Sequence, residues 1–173
     1  LKASSARLAA ARAMSFTATA EYESPSRLGP PLVYTTLSEV TLQRPDKLRA
    51  EVSGDIRDRT FVYDGAKLTM YSPDDAAYVR IDAPDKLGGL IETLLDIGVE
   101  MPLIDVLYQG IAGTLSEGAT GGVLVGETMI DGVACDQLAF RQPTIDWQIW
   151  VEKGARALPR KIVITTRYEV GAP

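Results

Sequence analysis

The chain has 173 residues, with 18 lysines and arginines against 23 aspartates and glutamates, one cysteine and no histidine. That length suits a single domain, residues 1–173, with a real buried core, and no apolar run approaches the ~18 residues a membrane-crossing helix needs. The net charge of −5 is spread along the chain, and no basic run could track a phosphate backbone, so no nucleic-acid partner is expected.

Residue 1 is Leu, so we expect the chain to start inside a longer precursor whose signal peptide or lipid anchor lies upstream. Residues 1–14 read as an Ala-rich surface helix, with Leu1, Leu8 and several alanines for a buried side. Lys2, Arg7 and Arg12, with no acid among the first twenty residues, give a superficial likeness to a transit peptide. The segment runs straight into a strand, which favours the helix. From Ser15 the period becomes two: Phe16, Ala18, Ala20 and Tyr22 alternate with polar neighbours. After a Pro/Gly loop at Ser24–Pro31, a second strand spans Leu32–Gln43 and ends at the turn Arg44-Pro45-Asp46.

Leu48, Ala50 and Val52 mark the next strand. Arg59–Asp64 and Lys67–Tyr71 flank Asp64-Gly65, the strongest short hairpin signal. Ala77–Asp82 follows the turn Ser72-Pro73-Asp74-Asp75. Beyond Pro84, Asp85 is placed to cap a helix whose Leu87, Leu90, Ile91, Leu94 and Leu95 form one stripe, with Gly98 as its stop. Pro102 opens a short second helix with Leu103, Val106 and Leu107 on one side, and Gly110–Gly122 reads as loop. Strands resume at Val123–Ile130, Val133–Arg141 after an Asp131-Gly132 turn, Thr144–Glu152 and Leu158–Tyr168. The expected class is α+β and mostly β: an antiparallel curved sheet, enclosing or covered by a few helices.

Without histidine, the Ser-His-Asp, Cys-His and HExxH arrangements are gone, and no GxSxG, SxxK or Walker loop appears. Asp55 with Asp58, and Asp74 with Asp75, fit no EF-hand spacing and sit where turns use Asp for backbone reasons. Cys135 has no local cation to activate it and reads as a buried small residue. We therefore expect no metal, no cofactor and no catalytic residue. The apolar pattern says more. Ile145, Trp147, Ile149 and Val151 share one strand face, while Trp150 on the other needs cover or stands exposed. Two readings fit: a packed core sealed by the central helices, or a sheet curved around a cavity with those helices as its lid.

Several stretches are similar to a family of bacterial predicted periplasmic proteins of unknown function, itself similar in fold to the LolA/LolB-type lipoprotein carriers. They are Arg44–Arg49, Tyr63–Leu68, Met101–Tyr108, and a longer run from Gly126 through Asp131–Asp136 and Trp147–Trp150 to Leu158–Lys161. The resemblance implies an exported, periplasmic protein with an open half-barrel whose apolar concave face shelters acyl chains or senses lipid or envelope stress. It brings no catalytic residues. On that reading, the apolar cavity would be lined by Phe16, Leu48, Val52, Phe61, Tyr63, Leu68, Met70, Leu90, Leu94, Leu103, Leu107, Trp147 and Ile149. The ligand would be a lipid, acyl chain or lipoprotein. Two rivals stay open: an envelope interaction module with a filled core, docking a protein partner by a sheet edge, and a hydrolase using paired carboxylates. The oligomeric state stays open too.

Overall fold

Alternating sequences become strands where a neighbour satisfies their backbone groups. The computed structural model describes residues 1–27, 29–55, 57–96 and 118–167. Among them are two helices, α1 (Lys2–Ala10) and α2 (Leu87–Asp96), and ten strands. These are β1 (Ala13–Ser24), β2 (Leu32–Gln43), β3 (Lys47–Gly54), β4 (Arg59–Tyr63), β5 (Lys67–Ser72), β6 (Ala77–Asp82), β7 (Gly121–Ile130), β8 (Val133–Arg141), β9 (Ile145–Glu152) and β10 (Pro159–Thr166). The strands form two antiparallel curved sheets, neither closed into a barrel: β1-β2-β3-β4-β5-β6 and β10-β9-β8-β7. The fold is thus mostly β, as the strand pattern predicts. Contacts divide the chain into two units, Arg12–Pro102 with the six-stranded sheet and α2, and Leu1–Ala11 with Leu103–Pro173, holding α1 and the four-stranded sheet.

In the six-stranded unit every connection is a hairpin, so register follows the turns. Asp64 closes β4 to β5: its Oδ1 accepts from the backbone N–H groups of Ala66 (3.0 Å) and Lys67 (2.8 Å). Gly65 has φ +91°, and a Cβ there would stand 2.8 Å from Asp46 Oδ2. Asp64-Gly65 therefore serves its turn for two reasons, positive φ and close approach. The second Asp-Gly pair, between β7 and β8, has positive φ at both residues (49° and 77°), as a type I′ turn requires.

Each face of β9 is covered in the four-stranded sheet. Trp147 (1% exposed) and Ile149 (0%) bury on one side, Trp150 (9%) on the other, where Cys135 of β8 is also fully buried. Trp150 is thus buried, and Lys161 stands over its ring with Nζ 5.1 Å from the centroid. Glu152 ends this strand as a buried carboxylate. Its Oε1 accepts from Arg156 (Nε, 2.6 Å) and its Oε2 from Arg160 (Nη2, 2.5 Å; Nε, 3.1 Å), which fixes the loop to β10.

Some expectations are corrected at their boundaries. The first helix stops at Ala10 and β1 begins at Ala13, because Ala13 and Met14 pair with Gln43 and Leu42 of β2. Long-range ladder bonds override the helix preference of alanine there. The buried side of α1 is Ser4 and Leu8, while Ala3, Ala6, Ala9 and Ala10 face solvent. α2 starts at Leu87, and the Lys86 carbonyl accepts the Leu90 N–H, so Lys86 rather than Asp85 holds the capping position. The predicted helix at Leu103–Leu107, the Gly98 stop and the loop before Gly118 lie outside the described residues.

Candidate functional site

The six-stranded sheet gathers most of the predicted lining residues on one face. Its register sets two rows across all six strands. One is Met14, Leu42, Leu48, Tyr63, Leu68 and Ile81; the other is Phe16, Val40, Ala50, Phe61, Met70 and Val79. Period-two alternation puts both rows on the same face. Val52 lies on this face as well, opposite Ser38 and Arg59.

Exposure along these rows is graded. In the first row Leu42, Leu48, Tyr63 and Leu68 are almost fully buried. In the second, Phe16, Phe61 and Met70 are half-buried. Both rows open at the edge strand β6, where Ile81 is 43% and Val79 54% exposed. This is a continuous apolar track with one end accessible to solvent.

α2 is tied beside the buried row, at Tyr63 and at the β2–β3 turn. The Tyr63 hydroxyl donates to the Pro84 carbonyl (2.5 Å), and the Leu87 N–H donates to the Pro45 carbonyl (2.9 Å). The first bond leads the chain into α2, and the second anchors its first residue at the β2–β3 turn. Along α2, Leu87, Leu90, Ile91 and Leu94 are all buried. Burial and the nearby Asp46, Asp85 and Asp64 push the Tyr63 phenol above its ordinary pKa, so it stays a neutral donor.

Of the thirteen predicted lining residues, seven (Phe16, Leu48, Val52, Phe61, Tyr63, Leu68, Met70) share this sheet face, and Leu90 and Leu94 lie on α2. Trp147 and Ile149 belong to β9 of the other unit, and Leu103 and Leu107 lie outside the described residues. The sequence reading of the lining missed Met14, Val40, Leu42, Ala50, Val79 and Ile81, which complete the rows. Their alternation with Ser15, Glu39, Thr41, Arg49, Glu51, Arg80 and Asp82 was the available signal. Three buried polar atoms lack a partner among the described residues: Ser4 Oγ, Thr36 Oγ1 and Trp147 Nε1.

Asp55 and Asp75 behave as turn and surface groups. Asp55 accepts from the Thr35 N–H (2.7 Å), and Asp75 accepts from Ser72 Oγ and Arg57. Among the described residues, every carboxylate with a shifted pKa is held below its usual range: Asp64 by backbone N–H groups, Asp75 by Ser72, Asp146 by Arg141 and Glu152 by Arg160. A general acid needs the opposite shift. Among the described residues, no group of three or more His, Cys, Asp or Glu could hold a metal ion.

Open antiparallel sheets, mostly β, with an apolar face beside a tethered helix define a LolA-like class of fold. Within it the chain belongs to the family described as "Predicted periplasmic protein (DUF2092)", whose match covers residues 1–173. The crystal structure of the lipoprotein LppX from Mycobacterium tuberculosis is similar, with a TM-score of 0.58 and 13% identity over 91% of this chain and 80% of that one. At that identity the likeness is one of fold. No curated protein matches the sequence.

Proposed function

We propose that this is a non-enzymatic periplasmic binding protein, a lipid or lipoprotein carrier or sensor, that takes an apolar chain along the inner face of the six-stranded sheet. The observation that supports it best is the pair of apolar rows, most buried at Leu42, Leu48, Tyr63 and Leu68 beside the α2 tether and open at Val79 and Ile81. The reading takes residues 1–173 as one domain, in keeping with a family match over the whole length.

Magnitudes are compatible with loading. Lifting α2 would expose Leu87, Leu90, Ile91 and Leu94, at about 1.5–3 kcal/mol each and so about 6–12 kcal/mol in all. A chain of about a dozen methylenes returns about 10 kcal/mol at ~0.8 kcal/mol per buried CH₂. The two terms nearly balance, which suits a carrier that must also release its cargo. Met and Leu linings adapt readily to flexible chains.

The test is binding of a fluorescent fatty-acid analogue to the wild type and two variants. Leu94→Lys places a charge in the buried stripe of α2 and is expected to abolish binding. Val79→Asp changes a residue already exposed, so the fold is retained, and it is expected to weaken binding. Full binding by both variants would sink the assignment.

A further inference from the structure

The opposite face of the six-stranded sheet carries a row that packing does not require. Thr17, Glu39, Glu51, Thr60, Tyr71 and Tyr78 stand opposite one another in register, one from each strand of β1 to β6. At about 4.8 Å per strand, the row runs for about 24 Å. Tyr71 is 43% and Tyr78 71% exposed, side by side at the β6 end. Two open depressions of about 340 and 240 Å³ lie at the Thr17-to-Thr60 part of the row, short of the two tyrosines, and Glu39 and Glu51 line both. Arg49 donates to Glu51 through Nε (2.8 Å) and Nη2 (2.5 Å). Glu39, directly across, has no ion pair among the described residues.

Folding accounts for only part of this arrangement. Tyr71 and Tyr78 form a cross-strand aromatic pair that contributes to the sheet, but like charges directly opposite destabilise it, and both rings still leave apolar surface in water. Such a combination is better explained by something that lies on it.

We propose that this row binds a neutral β-linked polysaccharide laid across the strands, with sugar rings stacked on Tyr71 and Tyr78 and hydroxyls donating to Glu51 and Glu39. A pyranose presents an apolar C–H face to the negative face of an aromatic ring, and a rim of hydroxyl donors around it. Carboxylates accept and cannot donate, so they match that rim, and a charged acceptor makes the stronger bond. Glu39, lacking a cation of its own, repels phosphate or polyanionic glycans and favours a ligand that supplies donors. An acyl chain would leave both carboxylates desolvated. An extended peptide would gain its main-chain bonds at a sheet edge and not across the strands. The two depressions are open and the tyrosines beyond them are exposed, so a polymer longer than the row can continue past it. This inference is independent of what the inner face binds.

The test is an NMR titration of the full chain with cellohexaose, repeated on Tyr78→Ala, Tyr71→Ala and Glu39→Gln. Wild-type shifts are expected to map to Glu39, Glu51, Thr60, Tyr71 and Tyr78. Loss of either ring should weaken binding about tenfold, and Glu39→Gln several-fold. Tyr71→Ala and Tyr78→Ala each lose a cross-strand aromatic contact and should melt slightly lower. Glu39→Gln relieves the repulsion with Glu51 and should melt no lower than the wild type. A thermal scan checks that all three stay folded at the titration temperature. No shifts on this face at millimolar cellohexaose would overturn the proposal, as would unchanged binding by Tyr78→Ala. Shifts with oligolysine but not with cellohexaose would make the row a surface for cationic chains and overturn it equally.

Discussion

Phe140 of β8 lies stacked on Trp147 of β9, the ring centroids 4.1 Å apart and the planes 16° from parallel. Gly122 of β7 completes the cross-strand row on the other side of Phe140, and a Cβ on Gly122 would come within 2.7 Å of the Phe140 ring. The glycine therefore leaves the room in which the ring lies against its own strand and its neighbour. Phe140→Ala should cost about 2–3 kcal/mol, at the low end for an aromatic truncation because the ring is half-buried. Gly122→Ala should cost about 1–2 kcal/mol by overpacking. Urea unfolding followed by tryptophan fluorescence measures both. In the double variant the Gly122→Ala cost should largely vanish, and full additivity would contradict the contact.

Glu152 makes the acid stability of the four-stranded unit predictable in sign. Hydrogen bonds from Arg160, then from Arg156, lower its folded-state pKa. A carboxylate lowered on folding contributes stability above its unfolded value of about 4.3, and loses it as the pH falls through the lower folded value. Glu152→Gln should therefore reduce the urea midpoint at pH 7 and leave it nearly unchanged at pH 2. An equal deficit at both values would show that the arginines act by packing alone.

Tyr63 and Pro84 form the tie between the sheet and the approach to α2. Tyr63→Phe leaves the ring buried and removes only the donor, so it should destabilise by about 1–2 kcal/mol. The loss should be local as well as global: amide exchange in Leu90–Leu94 should accelerate more than in β2 and β3. Uniform acceleration would mean that the bond does not restrain α2 in particular.

Gly54 and Gly118 separate backbone strain from collision. Both have positive φ, but a Cβ on Gly54 would stand 2.3 Å from the Thr35 carbonyl oxygen, whereas one on Gly118 would meet nothing within 4 Å. Gly118→Ala should cost about 1 kcal/mol from φ alone, and Gly54→Ala clearly more. Thermal melts of the two variants give the order, and the reverse order would contradict the β2–β3 register.

Much of this was legible from the chain. Ten strands, both Asp-Gly turns and the Leu87–Leu94 stripe announce themselves through period two, turn chemistry and period 3.6, because each is a local signal. The same alternation placed Phe16, Leu48, Phe61 and Met70 on one face. What could not be read depends on distant partners. Ala13 joins β1 only because Gln43 lies opposite, and Trp150 is buried although its own strand alternation left that face polar. The Phe140–Trp147 stack and the Thr17-to-Tyr78 row need the register of several hairpins at once. No single segment carries that information. Leu90 and Leu94 were nameable as apolar helix residues, but not the Tyr63 and Pro45 contacts that fix where their helix begins.

The most direct test of the binding reading is native mass spectrometry of the protein purified from a bacterial periplasm, followed by organic extraction. The account predicts a discrete added mass that extracts as lipid or free acyl chain and is absent from Leu94→Lys. A clean apo mass, together with no binding of an apolar fluorescent probe, would contradict it and leave the inner face as a packed core.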